Sequence, residues 1–357
     1  MAEIEKLMNV AIGDIEKIMN IATDDIEKVM GLEVPASAVW TGTRGILAGG
    51  DRGDAGESNV IDYKTISSTG AMSDFGDLTV TGAIIYLCGS SNGTRGVFSG
   101  GVIWPGGPTM YNNIQYITVG STGNTTDAGD LTQSKFDGVA ASNGTNGYHF
   151  AGKDSSQTYL KEIDYWAIAT TNNASDFGDL STLPVANQGG AINDATYALR
   201  YKGITSGPGA STWGNKYIDY MTMASTSDTS DFGDMTVTGA QGLGGCEDTT
   251  RGVNWSGRYD GTTDTDTIDY VTVASTGDAT DFGDISTEFD ADGAGNQASG
   301  NNAVSNLTKG EVYGGYSQGG PTHANIDYIT IQTTGDATSA GDDLTAVNDQ
   351  LGSLSGT

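Results

Sequence analysis

Cysteine, histidine and basic side chains are all scarce in this chain, and each shortage removes a class of function. Cys88 and Cys246 are too few for a disulfide framework or a Cys-based zinc site. Each follows a Gly-Asp-Leu or Gly-Asp-Met motif and precedes Thr-Arg-Gly, so in a ring of repeats they would be equivalent sites on opposite sides, predicting two free thiols. His149 and His323 fall in different units, which leaves no histidine triad for zinc, and both are expected at surface or turn positions. The 16 Lys and Arg against 45 Asp and Glu give a net charge of -29, a surface that repels phosphate backbones, so no nucleic-acid partner is expected. Apolar runs fall short of the ~20 residues that span a bilayer, and no membrane insertion is expected. The start Met1-Ala2-Glu3-Ile4-Glu5-Lys6 lacks the basic and apolar regions of a secretion signal, which predicts assembly in a cytoplasm.

Glycine is abundant, 54 residues, and with Thr, Ser, Asp and Asn it suits short strands joined by tight turns. The dominant signal is internal repetition. Ile61-Asp62-Tyr63 recurs as Ile114-Gln115-Tyr116, Ile163-Asp164-Tyr165, Ile218-Asp219-Tyr220, Ile268-Asp269-Tyr270 and Ile326-Asp327-Tyr328. Each opens a strand-like run with two apolar faces: Ile268 and Tyr270 on one, Val271 and Val273 on the other. A strand buried on both sides fits a blade packed between two blades.

A second anchor follows a polar turn, as in Asp74-Phe75-Gly76-Asp77-Leu78 and Asp231-Phe232-Gly233-Asp234-Met235. A third precedes the Ile-Asp-Tyr run, as in Arg95-Gly96-Val97-Phe98-Ser99-Gly100-Gly101. Six units of three or four strands predict an all-β, six-bladed β-propeller over residues 36–357, with a parallel β-helix as the alternative. The period and paired glycines resemble Kelch-type propellers. Pairing between Ala36–Thr43 and Leu344–Leu351 would close the ring and remove its edges.

Residues 1–35 carry a different repeat, of period eleven. Its apolar positions include Ile4, Leu7 and Met8, then Ile15, Ile18 and Met19, then Ile26, Val29 and Met30. That stripe predicts a short α-helical segment, one helix or several, whose apolar face docks on the propeller, on copies of itself or on a partner; the partner-binding anchor is the functional reading.

Asp-Phe-Gly here is a repeated blade element without a kinase's other motifs, so its Phe is expected between blades and its Asp at a turn. The triplets Asp228, Asp231, Asp234 and Asp278, Asp281, Asp284 are read as turn carboxylates, with calcium as the alternative. Glu288 and Glu311 are loose candidates for a carboxylate pair, but no pair stands out, and neither catalytic residues nor a cofactor are expected. Trp104, Trp166, Trp213 and Trp255 stand at unlike places in their units, and Trp104 and Trp213 are the candidate ligand contacts. The inserts Thr205–Trp213 and Phe289–Lys309 are candidate contact loops.

The eleven-residue repeats joined to Ile-Asp-Tyr and Asp-Phe-Gly-Asp-Leu units resemble structural proteins of tailed bacteriophages, particularly those of marine cyanobacteria. The resemblance implies a non-enzymatic, multi-copy or homo-oligomeric virion component, tail-associated, fibre-like or decorating. It would be anchored by its N-terminal segment and present a rigid propeller to other virion proteins or to a host-surface glycan or protein. A carbohydrate-binding propeller is the alternative, and a propeller hydrolase a third reading.

Overall fold

The computed structural model describes residues 42–51, 58–68, 70–80, 82, 84–103, 108–181, 190–201, 205–207, 210–212, 216–237, 244–255, 265–286, 302–316, 322–343 and 351–356. It also describes six two-residue strands within residues 6–33, by backbone alone. Two compact units are present, Met1–Ala38 and Val39–Thr357.

The second unit holds six four-stranded antiparallel sheets, the blades of a propeller. In chain order, from inner to outer strand, blade 2 comprises Cys88–Ser91, Arg95–Ser99, Asn113–Thr118 and Thr126–Asp130. Blade 3 comprises Val139–Ser142, Asn146–Phe150, Glu162–Ala167 and Ser175–Asp179. Blade 4 comprises Ala191–Asn193, Tyr197–Tyr201, Tyr217–Thr222 and Ser230–Asp234. Blade 5 comprises Gly244–Glu247, Arg251–Trp255, Thr267–Thr272 and Thr280–Asp284. Blade 6 comprises Ala303–Ser305, Lys309–Tyr316, Thr322–Thr330 and Thr338–Asp343. Blade 1 joins the two ends of the unit: Gly352–Gly356 is the inner strand, followed by Arg44–Ala48, Val60–Thr65 and Ser73–Asp77. The register Gly356↔Arg44 to Gly352↔Ala48 thus closes the ring a few residues beyond the segments expected to pair. Of those segments, 36–41 and 344–350 lie outside the described residues.

The core is divided into seams. Leu47, Ile66, Val304, Tyr313 and Ile326 form one between blades 6 and 1, and Ile46, Ile61, Phe75, Phe98 and Ile117 the next, between blades 1 and 2. The expected two-faced strand is found: Ile268 and Tyr270 enter the seam with blade 6, Val271 and Val273 the seam with blade 4.

The Asp-Phe-Gly-Asp motif forms the outer strand and carries a β-bulge. Ile61 pairs with Gly76 and Asp62 with Asp74, so Phe75 is the extra residue. The register shifts at the same place in the other five blades. Phe75 turns into the seam, 3 % exposed, and meets Tyr63 edge-on at 5.6 Å. The motif glycine has a positive φ, from +138° at Gly129 to +154° at Gly233. There the next blade's turn lies against the outer strand: Gly277 N–H donates to Phe232 O at 2.8 Å, and Ala279 N–H to Asp234 O at 2.7 Å.

One expectation, the N-terminal helix, finds no support, and one is corrected. No helix occurs among the described residues; the described parts of residues 1–35 are strand pairs, Lys6–Leu7 with Val10–Ala11, Lys17–Ile18 with Ile21–Ala22, and Lys28–Val29 with Leu32–Glu33. An eleven-residue spacing that fits a helical stripe also fits one strand pair per repeat. The two cysteines are free and buried, in blades 2 and 5, but not equivalent. Cys88 pairs with Ser99, whereas Cys246 pairs with Val253, two positions further along the inner strand.

The motif glycine can be tested against a neighbour of like backbone. A Cβ on Gly233 would lie 2.3 Å from Gly277 O, whereas one on Gly335, with φ +149°, meets nothing within 4 Å. Gly335→Ala should cost about 1–2 kcal/mol through backbone strain alone, and Gly233→Ala about 1–3 kcal/mol more. Urea unfolding midpoints of the two variants measure the difference; equal losses would show that the blade contact is not the constraint.

Candidate functional site

An antiparallel four-stranded blade places its two kinds of connection at opposite ends. Turns from inner to second strand and from third to outer strand share one end, and these are uniform. Asn92 Oδ1 accepts from the N–H groups of Thr94 and Arg95; Asn143, Asp194, Asp248 and Asn306 repeat the arrangement. Connections from second to third strand, and from blade to blade, share the other end and differ in length and sequence. Trp104 and Trp213 both fall in second-to-third connections, of blades 2 and 4, and themselves lie outside the described residues. So do Glu288 and the side chain of His323. Of the anchor positions, Leu7, Ile18 and Val29 are on the short strands, with only their backbone described; Ile4, Met8, Ile15, Met19, Ile26 and Met30 lie outside the described residues.

The repeated polar residues are used between blades. Asp164 of blade 3 accepts from Thr132 N–H at 3.1 Å and Oγ1–H at 2.7 Å, and Thr132 follows the Gly-Asp-Leu of blade 2. Asp327 takes the same two bonds from Ser286, Asp269 from Thr236, and Gln115 stands in for the aspartate against Thr79. The first carboxylate of each triplet serves likewise: Asp228 Oδ1 accepts Asp179 N–H at 3.0 Å and Asp278 Oδ1 accepts Asp234 N–H at 3.1 Å, each on the preceding blade's outer strand, whereas Asp231, Asp234, Asp281 and Asp284 stand in outer strands and not in the turns expected for them. Glu311, a candidate for hydrolytic chemistry, is 2 % exposed and accepts from Ser67 N–H at 2.6 Å and Tyr313 O–H at 2.5 Å. Trp166 and Trp255 are packing residues, 3 % and 0 % exposed, and Trp255 Nε1 donates to Cys246 Sγ at 3.2 Å.

Three buried ionic features escaped the sequence reading. Lys135 pairs with Asp164 at 3.1 Å with neither side chain exposed, and Arg200 with Asp219 at 2.8 Å. His149 is fully buried, correcting its expected surface place. Its Nδ1 is 2.9 Å from Ser99 Oγ and its Nε2 3.8 Å from Cys88 Sγ. Burial, reinforced by Lys135, holds the imidazole well below its ordinary pKa, and burial, with Asp137, pushes the Cys88 thiol up. Both groups are therefore neutral, the reverse of an activated Cys-His pair. The signal was available: second-strand residues facing the Ile-Asp-Tyr aspartate include Leu47, Val312, His149 and Arg200, so the polar ones depart from the repeat.

The six inner strands enclose an axial channel with a cavity of ≈ 80 Å³. Its walls are chiefly Gly, Ala, Ser and Asn, and Glu247 is the one ionisable lining residue among those described. The registers place Ser91, Ser142, Asn193, Glu247, Ser305 and Ser355 at one level, opposite Gly96, Gly147, Ala198, Gly252, Gly310 and Gly45. Burial first, then the nearby charges of Asp248 and Asp194, raises Glu247 to about 8.

His149 gives a pH test. Its folded pKa is depressed, so below its ordinary value of 6.5 the unfolded chain binds the proton first. Its stability contribution is complete above that value and falls as pH drops through it, by up to about 1.4 kcal/mol per pH unit. His149→Gln should flatten the urea-measured stability profile between pH 7 and 5; an unchanged slope would exclude a buried neutral imidazole.

No family model matches the sequence, and no curated protein matches it. Among solved structures the chain is similar to YjhT, with a TM-score of 0.62 at 10 % identity over 84 % of this chain and 97 % of that one. At that identity the likeness establishes the fold: the chain is an all-β, six-bladed propeller.

Proposed function

We propose that this chain is a non-enzymatic structural protein of a tailed-phage particle, anchored through residues 1–35 and presenting its propeller to a neighbouring virion protein or to the host surface. The observation that carries the display role is where the repeated chemistry goes. Aspartates, threonines and motif glycines bond one blade to the next, so the ring is a stiff platform whose variety lies in one end's connections. The particle itself is supported by the joint presence of the eleven-residue and Asp-Phe-Gly-Asp repeats. Antibody to the chain should label purified particles, and Leu7→Asp with Ile18→Asp and Val29→Asp should reduce its incorporation at least tenfold. Absence of the chain from particles would overturn the virion role, and undiminished incorporation of the triple variant the anchor.

A second reading, glycan binding, is favoured by Trp104 and Trp213 falling in connections that belong to the same end of the propeller. On a glycan array, Trp104→Ala or Trp213→Ala should then weaken binding about tenfold, the loss of about 1.4 kcal/mol of stacking. Silence of the unaltered chain across the array would remove this reading.

A further inference from the structure

We propose that Asn92 and Asn143, in the turns from inner to second strand of blades 2 and 3, are modification sites at which the chain converts its own asparagine to aspartate. The proposal is independent of the virion role and starts from a comparison within the repeat. Asn92, Asn143, Asp194, Asp248 and Asn306 occupy one turn position, so the fold uses amide and carboxylate there alike. The carboxylates of Asp194 and Asp248 each accept the two backbone N–H groups that the asparagines accept. Aspartate is a product that this turn already holds.

The reaction needs a backbone nitrogen unhindered by a side chain and an amide carbonyl polarised for attack. Asn92 and Asn143 are each followed by glycine, with φ +88° at Gly93 and +80° at Gly144. Gly93 N–H donates to Ser91 Oγ at 2.8 Å and Gly144 N–H to Ser142 Oγ at 3.0 Å, so each attacking nitrogen has an acceptor beside its proton. Asn92 Oδ1 accepts from Arg95 N–H at 2.7 Å, Thr94 Oγ1–H at 3.1 Å and Thr94 N–H at 3.2 Å. Asn143 Oδ1 accepts from Asn146 N–H at 2.8 Å and Thr145 N–H at 3.0 Å. These donors stabilise the negative charge that gathers on Oδ1 as the new bond forms. The glycine nitrogen bonds to the asparagine Cγ, the Cγ–Nδ2 bond breaks, and ammonia leaves with the proton that the nitrogen gives up. Water then opens the cyclic imide at Cγ and gives aspartate.

The structure also ranks the sites. Asn143 Nδ2 donates to Tyr148 Oη at 3.3 Å, which retains the leaving group, whereas among the described residues nothing accepts from Asn92 Nδ2. Asn306 has the same turn but is followed by Leu307, whose side chain crowds the attack. Asn146-Gly147 has the same two residues inside a strand, where Gly147 is paired with Ser142 and Trp166 and the ladder keeps the ring from closing.

The test incubates the full chain in mildly alkaline water enriched in oxygen-18 and follows each asparagine by peptide mapping. Asn92 should gain the mass of a labelled aspartate first and Asn143 more slowly, while Asn306 and Asn146 stay intact. Intact Asn92 and Asn143 would overturn the proposal, and so would conversion of Asn146 as fast as Asn92, since the dipeptide and not the turn would then decide. Asn92→Asp, the product itself, should unfold at the urea concentration of the unaltered chain; a lower midpoint would show that the turn does not accept the carboxylate.

Discussion

Where Phe232 O accepts from Gly277 N–H, the outer strand of one blade bonds to the turn of the next, and the ring's other regularities follow from that contact. An outer strand already paired with its own third strand has half its backbone groups facing away, and an unpaired edge invites aggregation. The bulge turns two of those carbonyls toward the next blade. Its glycine has to be glycine on two counts, the positive φ and a neighbouring carbonyl where a Cβ would stand. The extra residue, Phe in four blades, is thrown inward, where the Tyr of Ile-Asp-Tyr meets its ring edge-on. One backbone constraint therefore accounts for the invariance of the Gly, the burial of the Phe and the position of the Tyr.

The seams divide the work between apolar and polar contacts. Side chains such as Ile46, Phe98 and Ile117 contribute about 1.5–3 kcal/mol each by burial, but oily surfaces slide. The paired bonds from Thr132 to Asp164, or Ser286 to Asp327, add about 1–3 kcal/mol each and fix the register of one blade on the next. The Lys135–Asp164 pair sits on such a latch. Its net contribution to stability is small because both charges were desolvated, yet truncating Asp164 alone would leave an uncompensated ammonium at a cost of about 3–5 kcal/mol.

Blade number, strand order and seam composition were legible because every unit states them again, and period-two alternation assigns each face. The N-terminal segment was not legible, because period eleven is compatible with a helical stripe and with a strand pair per repeat. Composition there does not decide between them, because many Ile and Val stand beside helix-favouring Glu, Lys, Leu and Met. Closure was placed a few residues early, since Gly352–Gly356, Gly-Ser-Leu-Ser-Gly, has one apolar residue and little strand character of its own; it is a strand because Arg44–Ala48 needs a partner. The burial of His149 and Arg200 was hidden for the same reason that it is informative, as polar side chains at one register position where blades 1 and 6 carry Leu47 and Val312.

The channel wall shows how strict that geometry is. A Cβ on Gly89 would stand 2.0 Å from Ser353 O, and one on Gly245 2.1 Å from Ala191 O, because neighbouring inner strands converge on the axis. Convergence explains why the wall is built of Gly, Ala and Ser, and it makes Glu247 the anomaly. Two residues from Gly245 on the same strand, at the level where blades 1, 2, 3 and 6 carry Ser, stands the longest side chain of that ring and its only ionisable group. Stability argues against it, since burial and two nearby aspartates make its ionisation unfavourable. Part of that side chain stays exposed, which limits the cost.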